Sequence, residues 1–172
     1  MAYLHSIMLD MQVIKDFLNE IGIPYMEETI TVDTFLPGIL IRNGAIIVDT
    51  EKLLYPGDIL HEAGHIAAME PDVRNASGGN VGVLVDKNTA MGEEMIAIAW
   101  SYAASVKLGL PPELIFHPDG YRGASDWYIE QFTSGNCPTL PLLQWAGFCY
   151  DEKNAAKHNV PPYPHMIRWL RE

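Results

Sequence analysis

The sequence has few of the features that define disulfide-rich or membrane proteins. Only two cysteines, Cys137 and Cys149, occur in 172 residues, and we expect two free thiols rather than a disulfide or a C-x-x-C pair. No stretch reaches the roughly 18 apolar residues of a membrane-spanning helix. The first residues also lack the basic lead and apolar run of a secretory signal. These absences predict a soluble, cytoplasmic protein without a membrane-embedded part.

Basic residues are scarce as well. Eleven lysines and arginines stand against 22 aspartates and glutamates, which gives a formal net charge of −11. Binding to nucleic-acid phosphates requires a basic surface, so this charge argues against a nucleic-acid partner. With 48% hydrophobic residues, a chain of this length is able to bury one substantial core, whereas two domains would each be thin. We therefore predict a single domain over residues 1–172.

The hydrophobic pattern predicts an α+β fold, with a small antiparallel sheet beside a mostly helical body. Three β-branched, apolar runs lie between residues 29 and 48, and Asn43-Gly44 between the last two indicates a hairpin, because both positions tolerate positive φ. The helical periodicity and the capping signals predict helices at residues 8–21, about 59–69 with Asp58 as the cap, 91–108, 125–132, 142–158 and 166–170, with a possible edge strand at 81–85.

The motif that carries chemistry is His61-Glu62-Ala63-Gly64-His65, inside the helix predicted at residues 59–69. Two histidines four residues apart project from one face of a helix, close enough to bind a single metal ion. This spacing is typical of one half of a zinc site. Glu62 is rotated by about 100° from His61, so it is better placed to take a proton from a water on the metal than to bind the metal. We predict one Zn²⁺ per chain, with Glu62 as a general base.

Gly64 and a pair of glutamates extend this prediction. Glycine inside a helix costs about 1 kcal/mol relative to alanine, so Gly64 indicates that a neighbouring element approaches the helix closely there. Zinc needs a third protein ligand, and the candidates are Glu93 and Glu94, near the start of the helix predicted at residues 91–108. The small residues that follow Glu94 on its face favour it, with Glu93 then in a capping or supporting role.

These residues resemble the gluzincin metallopeptidases, and among them the compact ImmA/IrrE-type peptidases. The resemblance covers residues 39–108 and rests on three segments: Ile46-Ile47-Val48, Leu60-His61-Glu62-Ala63-Gly64-His65-Ile66-Ala67 and Glu94-Met95-Ile96-Ala97-Ile98-Ala99-Trp100. In that family a Glu-x-x-Ala segment followed by an aromatic residue supplies the third zinc ligand, which implies Glu94 here. The resemblance also implies a zincin-like active-site helix and hydrolysis of peptide bonds in a protein or peptide substrate.

Other polar residues are candidates for supporting roles. A donor that stabilises the oxyanion is expected among Tyr121, His117 and His165, and a carboxylate that orients a ligand imidazole is expected in Asp119 or Asp126. The aromatic residues of the last third are predicted to pack the core; they are Trp127, Tyr128, Trp145, Phe148, Tyr150 and Trp169. The alternative function is a metal-binding or interaction module that keeps the fold without turnover.

Overall fold

The computed structural model describes the backbone of residues 2–78 and 87–172, and the side chains of residues 8–78 and 91–172. The elements in chain order are α1 (Ala2–Ile21), β1 (Tyr25–Glu27), β2 (Ile39–Arg42), β3 (Ala45–Val48), α2 (Gly57–Ala68), α3 (Pro71–Arg74), α4 (Lys87–Leu108), α5 (Pro112–Ile115), a 3₁₀ turn (Tyr121–Gly123), α6 (Ser125–Thr133), α7 (Leu140–Trp145) and α8 (Glu152–His158). This is the predicted α+β fold. The possible edge strand at residues 81–85 lies outside the described residues.

The sheet is small and mixed rather than antiparallel throughout. Its order is β1-β3-β2, with β3 parallel to β1 and antiparallel to β2. The predicted hairpin between β2 and β3 is confirmed, and Asn43 and Gly44 have φ of 53° and 72° as its turn requires. The first β-branched run, residues 29–32, is not a strand. Its buried residue, Ile30, donates its backbone N–H to the Asp49 carboxylate instead of to a neighbouring strand.

The hydrophobic core lies between α1, the sheet, α2 and α4. Ile14 and Leu18 of α1, Leu60 of α2 and Trp100 of α4 are completely buried there. Helix α4 is buried on most sides, as its apolar sequence predicted, and it packs against both α2 and α7. Within the described residues, no helix combines the length and the apolar character needed to cross a bilayer.

Helix α2 begins differently from the prediction. Pro56 occupies the N-cap position and the helix starts at Gly57, so Asp58 lies inside the first turn and makes no capping hydrogen bond. Its carboxylate instead contacts His117, from a distant part of the chain. A side chain that has a buried long-range partner is not available to cap its own helix. The helix ends at Ala68, and Pro71 starts the short helix α3 rather than only closing α2.

Two helix predictions in the last third are wrong. The single helix predicted at residues 142–158 is two helices, α7 and α8, because the chain between them turns at Gly147 with φ of +81°. Residues 166–170 are not helical, because their backbone groups form hydrogen bonds with other segments of the chain. Ile167 N–H donates to the Phe148 carbonyl, and the Trp169 carbonyl accepts from the Trp100 indole. The helix predicted at residues 125–132 is confirmed as α6.

Candidate metal centre

Helices α2 and α4 bring three potential metal ligands together. Nε2 of His61 lies 3.2 Å from Nε2 of His65, and their rings are almost perpendicular. Oε2 of Glu94 lies 3.6 Å from Nε2 of His61 and 3.2 Å from Nε2 of His65. Glu93, the other candidate, is not part of this group. The two histidines are largely buried, whereas the Glu94 side chain is 46% exposed, so the group opens to solvent on the α4 side.

The spacing of these three atoms fits a tetrahedral zinc ion. Zinc binds imidazole nitrogen and carboxylate oxygen at about 2.0–2.1 Å, which places two tetrahedral ligand atoms about 3.3–3.4 Å apart. The observed separations of 3.2, 3.2 and 3.6 Å therefore leave room for one such ion. Among the described residues, no fourth histidine, cysteine or carboxylate joins the group. An open fourth position is typical of catalytic zinc sites rather than structural ones.

Gly64 explains how the two helices come close enough to bring the three potential ligands together. A Cβ atom at Gly64 would lie 2.8 Å from the backbone oxygen and 2.9 Å from the Cα of Ala97 on α4. Both contacts are with backbone, which cannot rotate away. The close approach predicted from Gly64 is therefore confirmed. The small residues farther along this side of α4, Ser101 and Ala104, are also fully buried.

Glu62 lies beside the group, on the wall of a cleft. The cleft has a volume of about 120 Å³ and is lined by Asp33, Thr34, Phe35, Leu36, the β2 residues Ile39, Leu40 and Ile41, and Glu62. Burial raises the pKa of the Glu62 carboxyl, an effect that His65 and His61 oppose and that Asp58 and Glu94 reinforce. A carboxylate with a raised pKa is a stronger proton acceptor than an ordinary one.

The electrostatics of the histidine pair favour a positive charge between the three ligands. Burial alone lowers the pKa of His61, but the hydrogen bond and charge of Glu94, together with the charges of Glu62 and Asp58, raise it overall. Burial alone raises the pKa of Glu94, but its hydrogen bonds to His61 and His65 lower it well below the usual range. His61 and Glu94 therefore stabilise opposite charges on each other.

Tyr121 is the one proposed oxyanion donor that lies at this group. Its hydroxyl oxygen is 3.5 Å from Nδ1 of His61, and the two rings meet edge to face. Burial raises its pKa well above the usual value, so the hydroxyl stays protonated and able to donate. Tyr121 and Arg122 both have positive φ, 52° and 55°, which is uncommon for residues other than glycine. Such strained backbone is often found at functional sites.

The other supporting candidates lie elsewhere. His117 is buried and bonded to Asp58 through Nε2, and His165 is exposed in the C-terminal segment. Asp119 is exposed and accepts a hydrogen bond from Tyr55, while Asp126 is exposed in the first turn of α6. No contact joins any of these four to the histidine pair.

Asp58 is the carboxylate that sequence reasoning missed. It is 7% exposed, and its charge acts on His61. It lies three residues before His61 and seven before His65, and this spacing places all three on one face of a helix. That spacing is the signal by which the sequence could have identified it. Because Asp58 was interpreted as the helix cap, this spacing was not recognised.

The aromatic residues of the last third divide between core and surface. Phe148 is fully buried, and Tyr128 and Trp169 pack against the core, as predicted. Trp127 and Trp145 contradict the prediction, since they are 48% and 70% exposed. Trp127 contacts the ring of Tyr128, and Trp145 is covered by the guanidinium group of Arg171 at 4.6 Å, so each finds its partner at the surface.

Comparison of the chain with protein-family models, curated proteins and solved structures found no match.

Proposed function

We propose that the protein is a zinc-dependent peptidase whose metal ligands are His61, His65 and Glu94. The observation that carries the proposal is the spacing of the three ligand atoms, which fits tetrahedral zinc, with no fourth protein ligand beside them in the part of the chain that the structure describes. The sequence resemblance to compact gluzincins supports the same conclusion. Glu93 remains a supporting carboxylate in this proposal. We place the activity in the cytoplasm, where the two cysteines, both free in the structure, stay reduced.

In this proposal the chain's own residues bind the substrate and move the proton. When bound, zinc supplies Lewis acidity, which activates water and polarises a carbonyl group. The carboxylate of Glu62 accepts the proton of the attacking water and then gives it to the leaving amine. Burial of Glu62 raises its pKa, and this favours both steps near neutral pH. Of the three candidate oxyanion donors, Tyr121 is the one whose hydroxyl lies beside His61 and stays protonated, so we assign this role to it.

The cleft beside Glu62 supports a peptide as the substrate. Its wall contains three consecutive residues of β2 and the exposed ring of Phe35. Extended peptides bind along sheet strands through main-chain hydrogen bonds, while their side chains enter neighbouring pockets. A cleft with this lining and with the proposed general base on its wall would hold a peptide bond next to the metal.

Metal analysis and four variants test this proposal. Protein purified without added metal should contain about one zinc per chain. His61→Ala should remove the zinc. Glu62→Gln should keep the zinc and abolish cleavage of a library of internally quenched peptides. If Glu62→Gln cleaves as fast as the wild type, the mechanism is wrong, and zinc binding without any cleavage would favour the non-catalytic module instead.

Glu93 and Glu94 form a matched pair for the third ligand. They are adjacent glutamates on the same turn of α4, so replacement by glutamine changes the two positions equally. We expect Glu94→Gln to lower zinc affinity by about 10-fold or more, and Glu93→Gln to leave it nearly unchanged. The opposite order would assign the third ligand to Glu93.

A further inference from the structure

Asp58 and His117 form a buried pair directly behind the proposed metal site. Oδ1 of Asp58 lies 3.0 Å from Nε2 of His117, and both side chains are 10% exposed. The two residues are 59 positions apart, so the pair joins the first turn of α2 to the segment that follows α5. A buried carboxylate is rarely retained without a partner, because removing its charge from water is unfavourable.

The geometry assigns the donor of this hydrogen bond. An ionised carboxylate only accepts, so with Asp58 charged, Nε2 of His117 carries the hydrogen. Nδ1 of His117 is buried, and none of the described residues bonds to it. Within the pair, the imidazole therefore acts as a donor toward Asp58.

The surroundings of His117 hold its ring in this orientation. The ring of Tyr55 stacks on it at 3.7 Å, nearly parallel. A Cβ atom at Gly120 would lie 3.0 Å from Nε2 of His117, so the backbone at Gly120 passes close to the imidazole ring. The His117 carbonyl accepts from the Ser125 hydroxyl and from the Gly120 backbone. The ring has little freedom to turn away from Asp58.

Asp58 also acts on the metal-binding face of α2. It lies one turn before His61 on the same face, and its charge interacts with His61. A zinc ion with two neutral histidines and one carboxylate as ligands would carry one net positive charge, and the carboxylates of Glu62 and Asp58 both act on this position. A buried negative charge nearby offsets that charge, and the low polarity of the surroundings weakens screening.

We propose that Asp58 is a positioning residue for the cation: its buried carboxylate, held by His117, strengthens metal binding at the histidine pair. This inference rests on the proposed zinc site, although it concerns a residue that does not bind the metal. Burial raises the pKa of Asp58, and His117 opposes that rise and holds the carboxylate in place, so that Asp58 supplies the charge. Supporting residues of this kind contribute about 10–100-fold to metal affinity in known sites.

The test measures zinc affinity of the full chain by competition with a chelator, using zinc alone as the probe. Asp58→Asn keeps the size of the side chain and an oxygen that accepts from His117, but it removes the charge. His117→Phe keeps a ring against Tyr55 and removes the donor, so the carboxylate becomes protonated or disordered. Asp49→Asn is the matched control, because Asp49 is also a buried, hydrogen-bonded carboxylate and lies outside the ligand group.

We expect Asp58→Asn and His117→Phe each to lower zinc affinity by about 10–100-fold. Because both changes act on the same charge, the double variant should bind zinc no more weakly than whichever single variant has the lower affinity. Asp49→Asn should lower the melting temperature but leave the affinity within about threefold. The absorption spectrum of bound Co²⁺ should stay tetrahedral in Asp58→Asn, because its three ligands are intact.

Three results would overturn the inference. If Asp58→Asn binds zinc as tightly as the wild type, the carboxylate is only structural, and the proposed zinc site still stands. If the two single effects multiply in the double variant, the residues act separately and the pair has no joint role. Failure of the wild type to bind zinc would overturn both this inference and the proposed function. Should His117→Phe not fold, Asp58→Asn and its control still decide the role of the charge.

Discussion

Replacement of Gly64 by alanine tests the packing on which the whole site depends. In an exposed helix this change would stabilise the protein by about 1 kcal/mol, because alanine is the better helix former. In this structure the new Cβ would lie 2.8 Å from the backbone oxygen of Ala97 and 2.9 Å from its Cα. Because backbone atoms cannot rotate away, the two helices must move apart by a few tenths of an ångström or more.

The size of the effect follows from two opposing contributions. Overpacking of a core costs about 1–3 kcal/mol, and a contact with backbone belongs in the upper part of that range. Subtracting the gain of about 1 kcal/mol in helix propensity leaves a net loss of about 1–2 kcal/mol. Gly92 provides the matched control, since it also lies inside a helix, α4, and a Cβ there would meet no described atom within 4 Å. Gly92→Ala should gain about 0.5–1 kcal/mol.

Thermal unfolding of the two variants distinguishes these outcomes. For a chain of this size, each kcal/mol shifts the melting temperature by about 2–4 °C. Gly64→Ala should therefore melt below the wild type and Gly92→Ala above it, with at least about 3 °C between the variants. Zinc affinity should fall in Gly64→Ala as well, because Glu94 moves with α4. If Gly64→Ala is as stable as Gly92→Ala, the close contact between α2 and α4 is wrong.

Two further residues have measurable consequences. Hydrogen bonds from the Ile30 backbone, and then from Glu51 and Lys52, lower the pKa of Asp49. The ionised Asp49 carboxylate therefore stabilises the fold above its unfolded pKa of about 3.9, and this stabilisation is lost as the pH falls through the lower pKa of the folded state. In urea denaturation, Asp49→Asn should be less stable than the wild type at pH 6, and the difference should shrink below about pH 4; a constant difference would contradict this. Burial raises the pKa of Cys149 to about 12. At pH 8 its thiol should therefore react with a maleimide only after the protein unfolds. Rapid labelling of Cys149 in the native protein would show instead that the thiol is accessible.

The parts of the fold that could be predicted from the sequence are those determined by residues close to one another in the chain. The β2–β3 hairpin depends on Asn43 and Gly44, which occur next to each other and both adopt positive φ. The helix that carries His61 and His65 has an apolar face that its own residues define. The capping role predicted for Asp58 was wrong. The hydrogen-bond partner of its carboxylate is His117, which lies 59 residues away, and no local pattern in the sequence reveals this contact.

The C-terminal segment shows the same limit. Residues 166–170 have an apolar spacing that suits a helix, yet their backbone groups bond to Phe148 and Trp100, which are distant in sequence. The ring of Trp169 also packs edge to face against Phe17 and Trp100. These contacts fix the segment in an irregular path. Periodicity describes which side chains are buried, but it does not reveal which backbone groups already have partners elsewhere.

The choice between Glu93 and Glu94 depends on the register of two helices, and a single contact determines that register. Gly64 lies so close to the backbone of Ala97 that a Cβ atom would come within 2.8 Å of its oxygen. One turn before Ala97, on the same face of α4, is Glu94, and His61 and His65 lie on either side of Gly64. Close contact at Gly64 thus brings the Glu94 carboxylate to the two imidazoles, while Glu93 is rotated by about 100° from that position. A side chain at Gly64 would therefore alter the stability of the helix pair and the geometry of the metal ligands together.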